Sequence, residues 1–193
     1  MACAKKARVS CKKKTKRYKE RDKQKRLVYT KEVEEIEAEN LVYLDESGLN
    51  EYASRSYGWA PRGKKIYGDV QGTRFHRESF IAAQCKGKIL APICFTGTCN
   101  TQLFNMWLER YLVPELKPGQ VIIMDNAAFH KSERTKQIIE EAGCRLLYLP
   151  PYSPDFNPIE KFWANLKYKI NNSAHNFSTI QQAIDHAFNS YHS

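Results

Sequence analysis

The run "VIIM" at residues 121–124 constrains the fold more than any other stretch. Four consecutive apolar residues, with the turn "KPGQ" before them and Asp125 after, suit a strand covered on both faces. Such a strand needs a layer of other elements on each side of its sheet. The flanking sequence supplies them. "NTQLFNMWLERYLVPEL" carries Leu103, Met106, Trp107, Arg110 and Tyr111 at helical spacing, with Asn100 placed to cap the helix. Ser132 caps a second helix in "ERTKQIIEEAG", and Gly143 stops it.

Upstream, "LVYL" at residues 41–44 reads as a strand that Gly48 ends. "RFHRESFIAAQC" and "KILAPICFTG" read as two strands joined by a tight turn at "KGK". Downstream come the strand "RLLYL", a proline-rich loop, a helix over about residues 159–170 and a last helix around "STIQQAIDHAFNSY". Three strands without helices predict an antiparallel meander. Strands reached through helices predict parallel pairing by right-handed crossovers. The expected fold class is α/β, a mixed five-stranded sheet flanked by helices. No internal repeat is visible.

The chain has 193 residues, enough for one domain with a real core. No apolar run approaches the roughly 18 residues of a membrane helix, and no apolar segment follows the basic start as in a signal peptide. The six cysteines are scattered without C-x-x-C spacing, which favours reduced thiols in a cytosolic or nuclear compartment. The net charge of +10 is unevenly placed. Residues 1–26 hold 13 Lys/Arg against Glu20 and Asp22, residues 27–40 are acidic, and the body from residue 41 carries only +3. Residues 1–40 are therefore expected to be a basic tail and an acidic linker, partly disordered, ahead of a folded domain at 41–193. Such a tail attracts polyanions by counterion release, without reading sequence.

Two acids follow apolar strands: Asp45 after "LVYL" and Asp125 after "VIIM". Ligands of open α/β sheets sit outside those strand ends. If the two strands are neighbours, the carboxylates face one small volume and repel, and a divalent cation relieves the conflict. Oxygen-only ligands favour Mg²⁺ or Mn²⁺. Each acid alone has a plainer reading: Asp45 as a turn residue, Asp125 as a cap. Glu160 has one too. Asn157, Pro158 and Glu160 fit an N-cap, N1 and N3, a capping box that contributes about 1 kcal/mol. Asp155 is its nearby rival for a metal. Glu160, Trp163, Ala164 and Lys167 share one helix face, where Trp163 is ordinarily core and Lys167 ordinarily solvated.

"YLDESG", "IIMDNAAFHKS" and "LPPYSPDFNPIEKFWANLK", in that order, resemble the DDE transposases of the mariner-type superfamily and their bacterial insertion-sequence relatives. There are 34 residues between Asp125 and Glu160, a spacing typical of that superfamily. The turn-rich "YGWAPRGKK" resembles the segment that follows the first acid. The resemblance covers about residues 41–170. It implies a ribonuclease-H-like fold, and it implies that Asp45, Asp125 and Glu160 are catalytic and carry two Mg²⁺ (or Mn²⁺) ions. One ion would activate the attacking water or 3′-hydroxyl and the other would stabilise the leaving oxygen. The partners implied are DNA (terminal inverted repeats and target) and a second copy of the chain on paired ends. Asn126 and His130 match the family's D-N-A-x-x-H pattern. Asn126 would orient Asp125 or a phosphate. His130 would contact DNA or support the metal, with a purely structural histidine as the alternative. Lys167, Lys161, Trp163 and Arg62 are the candidate DNA contacts.

Family members usually carry helix-turn-helix modules upstream, and residues 1–40 show no such pattern. The expectation is a fragment, a second reading frame of a frameshifted element or a decayed copy. The rival function is a non-catalytic DNA-binding protein derived from a transposase. A nuclease acting on RNA–DNA hybrids would share the site chemistry. The compartment expected is the nucleoid in a prokaryote and the nucleus in a eukaryote.

Overall fold

A computed structural model describes residues 18–50, 64–65 and 77–191. Arg62, and all of "YGWAPRGKK" except Lys64 and Lys65, lie outside them, as does most of the basic tail.

Five strands form one sheet in the order β3-β2-β1-β4-β5. They are β1 (Leu41–Asn50), β2 (Arg77–Cys85), β3 (Lys88–Thr96), β4 (Val121–Met124) and β5 (Arg145–Tyr148). The first three pair antiparallel, while β4 joins β1 and β5 in parallel. This is the expected mixed, ribonuclease-H-like sheet. The β2–β3 hairpin turns at Lys86 and Gly87, both with positive φ (49° and 83°), as a primed turn requires.

Gly48 does not end β1. The strand runs ten residues, and Gly48 pairs with Ser79 of β2 in an unbroken antiparallel ladder. Asp45 is therefore in mid-strand. Even so, the parallel pairing of β1 with β4 covers only residues 41–43 against 121–123. Continuing that register by two residues sets Asp45 level with Asp125.

β4 is buried at all four positions, as its composition requires. One face of the sheet packs under α2 (Thr101–Trp107) and α3 (Glu133–Glu141), with Val42, Leu44, Ile122 and Met124 meeting Phe104, Trp107, Ile138 and Ile139. On the other face, Leu49, Phe80 and Ala82 meet α4 (Ile159–Ser173) and α5 (Ile180–Asn189). Asn100 and Ser132 cap α2 and α3 as expected, accepting from the Leu103 and Thr135 N–H groups, and Gly143 follows α3 in the left-handed region.

The inward stripe of α2 differs from the predicted one. Phe104, Trp107, Leu108 and Leu112 are buried, while Tyr111 is exposed. The winding widens to an i→i+5 turn over Leu108–Leu112, so Leu112 takes the inward place that Tyr111 would hold in a regular helix. The indole N–H of Trp107 donates to the Ala91 carbonyl at 2.8 Å.

Residues 23–34 form α1 (Lys23–Glu34), capped by Asp22, within the segment expected to be partly disordered. It docks on the body through Tyr29, which packs with Leu41, Val121, Ile123 and Leu149. Arg26 forks onto Asp155 at 2.7 and 3.0 Å and lies 3.8 Å over the Phe156 ring. The Arg26–Asp155 pair joins residues 129 positions apart along the chain.

Candidate active site

Three elements carry the three acids to one cleft. Asp45 comes from the middle of β1, Asp125 follows β4, and Glu160 sits in the first turn of α4. They line a cavity of about 560 Å³ together with Tyr18, Asn126, Leu149, Asn157 and the loop of residues 150–154. Among the described residues, no three His, Cys, Asp or Glu side chains converge closely enough to hold one ion.

The environments of the acids differ. Burial pushes the Asp45 carboxyl up to about 8, and the charges of Glu160, Glu46 and Asp125 add to the effect. For Asp125, burial acts in the same upward direction, but hydrogen bonds from His130 and from the Ala127 N–H outweigh it and hold the carboxyl below its usual range. Both bonds fall on one oxygen, at 2.8 and 2.9 Å, so Oδ2 has no hydrogen bond among the described residues. Glu160 is exposed and its carboxylate has no such bond either.

His130 is fully buried. Its Nδ1 meets Asp125 Oδ1 and its Nε2 meets Glu46 Oε1, both at 2.8 Å. Burial opposes charge on the imidazole, but the two carboxylates prevail and raise its pKa to about 9. Glu46 escaped the sequence reading. The signal was present in "YLDESG", but strand alternation sends neighbouring side chains to opposite faces, so Glu46 is absent from the cleft that Asp45 lines.

The proline loop works otherwise than its sequence suggests. The Asn157 N–H donates to the Pro154 carbonyl at 2.9 Å, inside a short turn over Pro154–Phe156. The capping box therefore does not need Glu160, and its carboxylate is left free. The Asn157 side chain caps α4 through Ile159 N–H at 3.4 Å and donates to the Leu44 carbonyl at 3.2 Å. Asn157 thus joins the strand position before Asp45 to the helix start that carries Glu160. Asn126 does similar work nearby. Its amide donates to the Leu149 carbonyl rather than to Asp125, tying the end of β4 to the loop.

Of the expected DNA contacts, Trp163 lies in the core. It is 1% exposed and stacks on Phe80 at 6.1 Å, because Ile159, Phe162, Trp163, Leu166 and Ile170 form the inward stripe of α4. Lys161 is exposed but lines a separate cleft with Lys86, Lys88 and Phe162. Lys167 is half-buried at the site's edge. Burial lowers its pKa, while Glu160 and Asp45 pull it the other way. No described helix is long and apolar enough to cross a membrane.

A search of the curated proteins finds no match. Among solved structures, the Mos1 transposase paired-end complex with left transposon end superposes with a TM-score of 0.62 at 13% identity, covering 83% of this chain and 53% of the other. The mariner Mos1 paired-end complex with Mg gives 0.64 at 14%, covering 84% and 53%. The Mos1 strand transfer complex gives 0.63 at 14%, covering 95% and 65%. The chain thus spans about half the length of the first two Mos1 chains, and these likenesses establish the fold. Residues 40–184 match the family model described as DDE superfamily endonuclease, a span that holds all three acids. The chain belongs to the DDE superfamily of endonucleases.

Proposed function

We propose that residues 41–193 are the catalytic domain of a transposase that cuts element ends and joins them to target DNA, using Asp45, Asp125 and Glu160 to hold Mg²⁺ or Mn²⁺. The observation that carries this reading is that three carboxylates, from a strand, a strand end and a helix start, line one cleft. The donors suit such ions: all are oxygens, Asp125 Oδ2 and the Glu160 carboxylate lack hydrogen bonds among the described residues, and Asp45 bears a repulsion that a cation would relieve. When bound, two such ions supply charge to the attacking and leaving oxygens of an in-line displacement.

The chain's own residues set the geometry. His130 fixes the rotation of Asp125, leaving one oxygen for the cleft. Asn157 holds the start of α4 against β1. Lys167, which interacts electrostatically with Glu160 and Asp45, would meet a backbone phosphate of the substrate. DNA as partner and divalent-metal use are supported by the family and by the Mos1 paired-end complexes, whose descriptions name a transposon end, Mg and Mn; that two copies hold the paired ends is part of the proposal.

The test is nicking of DNA that carries the terminal repeats, in Mn²⁺, by the wild type and by Asp125→Ala. We expect cleavage by the wild type only. Equal cleavage by the two proteins, or none by either, would refute the enzymatic reading in favour of a DNA-binding remnant.

A further inference from the structure

We infer that Glu46 is a positioning residue of the site: acting through His130, it braces Asp125 in the rotamer that leaves one carboxylate oxygen facing the cleft. The inference rests on the proposed metal-dependent function.

Glu46 and Asp45 are consecutive on β1, and β1 pairs with β2 through both of them, Asp45 with Ala82 and Glu46 with Ile81. Their side chains therefore leave the sheet on opposite faces. Asp45 enters the cleft. Glu46 goes to the α2 side, and its side chain is 17% exposed. There it meets His130, which arrives on the short turn Ala128–Lys131 after β4. The imidazole has little freedom. Phe104 and Phe129 lie against it, with ring centroids at 4.4 and 4.3 Å. Its residue's N–H donates to the Ala127 carbonyl, and its carbonyl accepts from the Tyr148 hydroxyl at 3.1 Å. Both ring nitrogens are taken, one by each carboxylate at 2.8 Å.

The result is a chain of contacts, β1–Glu46–His130–Asp125–β4, behind the acid cleft. Without Glu46, Nε2 faces a buried space with no acceptor, and the ring gains a reason to turn. The bond to Asp125 Oδ1 then weakens, and Asp125 is held only by the Ala127 N–H. A histidine held by a carboxylate on one nitrogen while its other nitrogen serves a metal is a familiar way to orient a ligand. Here the logic is moved one residue outward, since the histidine orients a carboxylate.

The experiment compares the wild type with Glu46→Ala, Glu46→Gln and Glu115→Ala. Glu115 accepts the Ala91 N–H at 2.9 Å and touches no acid of the cleft, so its loss reports general destabilisation. Mn²⁺ affinity is read by calorimetry, and stability by urea unfolding in EDTA. We expect Glu46→Ala to weaken Mn²⁺ binding by roughly 10–100-fold. Glu46→Gln keeps an oxygen acceptor for Nε2 and should bind closer to the wild type than to the alanine variant. Glu115→Ala should lose stability without losing Mn²⁺ affinity. Wild-type affinity in Glu46→Ala overturns the inference, and so does a loss in Glu115→Ala that matches it.

The nitrogen NMR spectrum of metal-free protein separates this inference from the function it rests on. The hydrogen-bonded ring proton that His130 shares with Asp125 should be present in the wild type and should weaken in Glu46→Ala. If the wild type binds no Mn²⁺, the metal reading fails. The brace then stands if that proton is lost in Glu46→Ala, and falls if it persists.

Discussion

Replacing Asp45 with asparagine should make the metal-free protein more stable while abolishing its response to divalent cations. Asp45 is pushed from an ordinary 3.8 to about 8, first by burial and then by Glu160, Glu46 and Asp125. The folded state thus holds the proton more tightly than the unfolded chain. By linkage, stability from this group is greatest below the unfolded value, falls as pH rises from about 4 to about 8, and is flat above that. Each tenfold change in acidity is worth about 1.4 kcal/mol, which sets a ceiling on the order of 5 kcal/mol. The cleft is open to water, which screens the carboxylates, so on the order of 2–4 kcal/mol is expected at pH 8.5. The amide of the Asp45→Asn variant carries no charge at any pH and avoids this loss. Urea unfolding in EDTA at pH 4.5 and 8.5 measures it. Asp45→Asn should match the wild type within about 1 kcal/mol at pH 4.5 and exceed it by the larger margin at pH 8.5. His130, whose raised pKa gives stability that is lost as pH rises through about 9, is present in both proteins and cancels in the difference. Mn²⁺ at pH 8.5 should raise the midpoint of the wild type alone. An Asp45→Asn variant no more stable than the wild type at pH 8.5 without metal would show that the acids do not crowd one another as argued.

Three further outcomes follow from the packing. Asn157→Ala removes the buried side-chain bonds to Leu44 and Ile159, so it should destabilise by about 1–3 kcal/mol in urea unfolding. Trp163→Ala should cost about 3–5 kcal/mol as a core cavity. At matched folded fraction, its affinity for DNA should equal that of the wild type in a gel-shift titration. Glu160→Gln should stay within about 0.5 kcal/mol of wild-type stability, because the carboxylate is exposed and the Asn157 N–H is already satisfied by Pro154. The same variant should nick no DNA in Mn²⁺, and strong unfolding by it would restore the capping role.

Much of the fold was legible because its determinants are local. "VIIM" required two covering layers, Asn100 and Ser132 announced their helices, and the order of strands and helices dictated antiparallel pairing first and parallel pairing later. Asp45, Asp125 and Glu160 were legible as a set only through the resemblance of their motifs to the DDE transposases, and they do line one cleft. Tertiary structure decided what distant partners control. It placed Trp163 in the core, since both flanks of α4 carry large side chains and only packing against Phe80 shows which is inward. It docked α1 through Arg26 and Asp155, a pair too far apart in sequence to be read from composition. It carried β1 through Gly48, because a paired neighbour supplies the hydrogen bonds that hold a glycine in a strand. It also recruited Glu46 and Asn157, whose roles depend on a histidine 84 residues away and a carbonyl 113 residues away. Periodicity and capping are written in neighbouring residues. A hydrogen bond between remote residues exists only once the chain has folded.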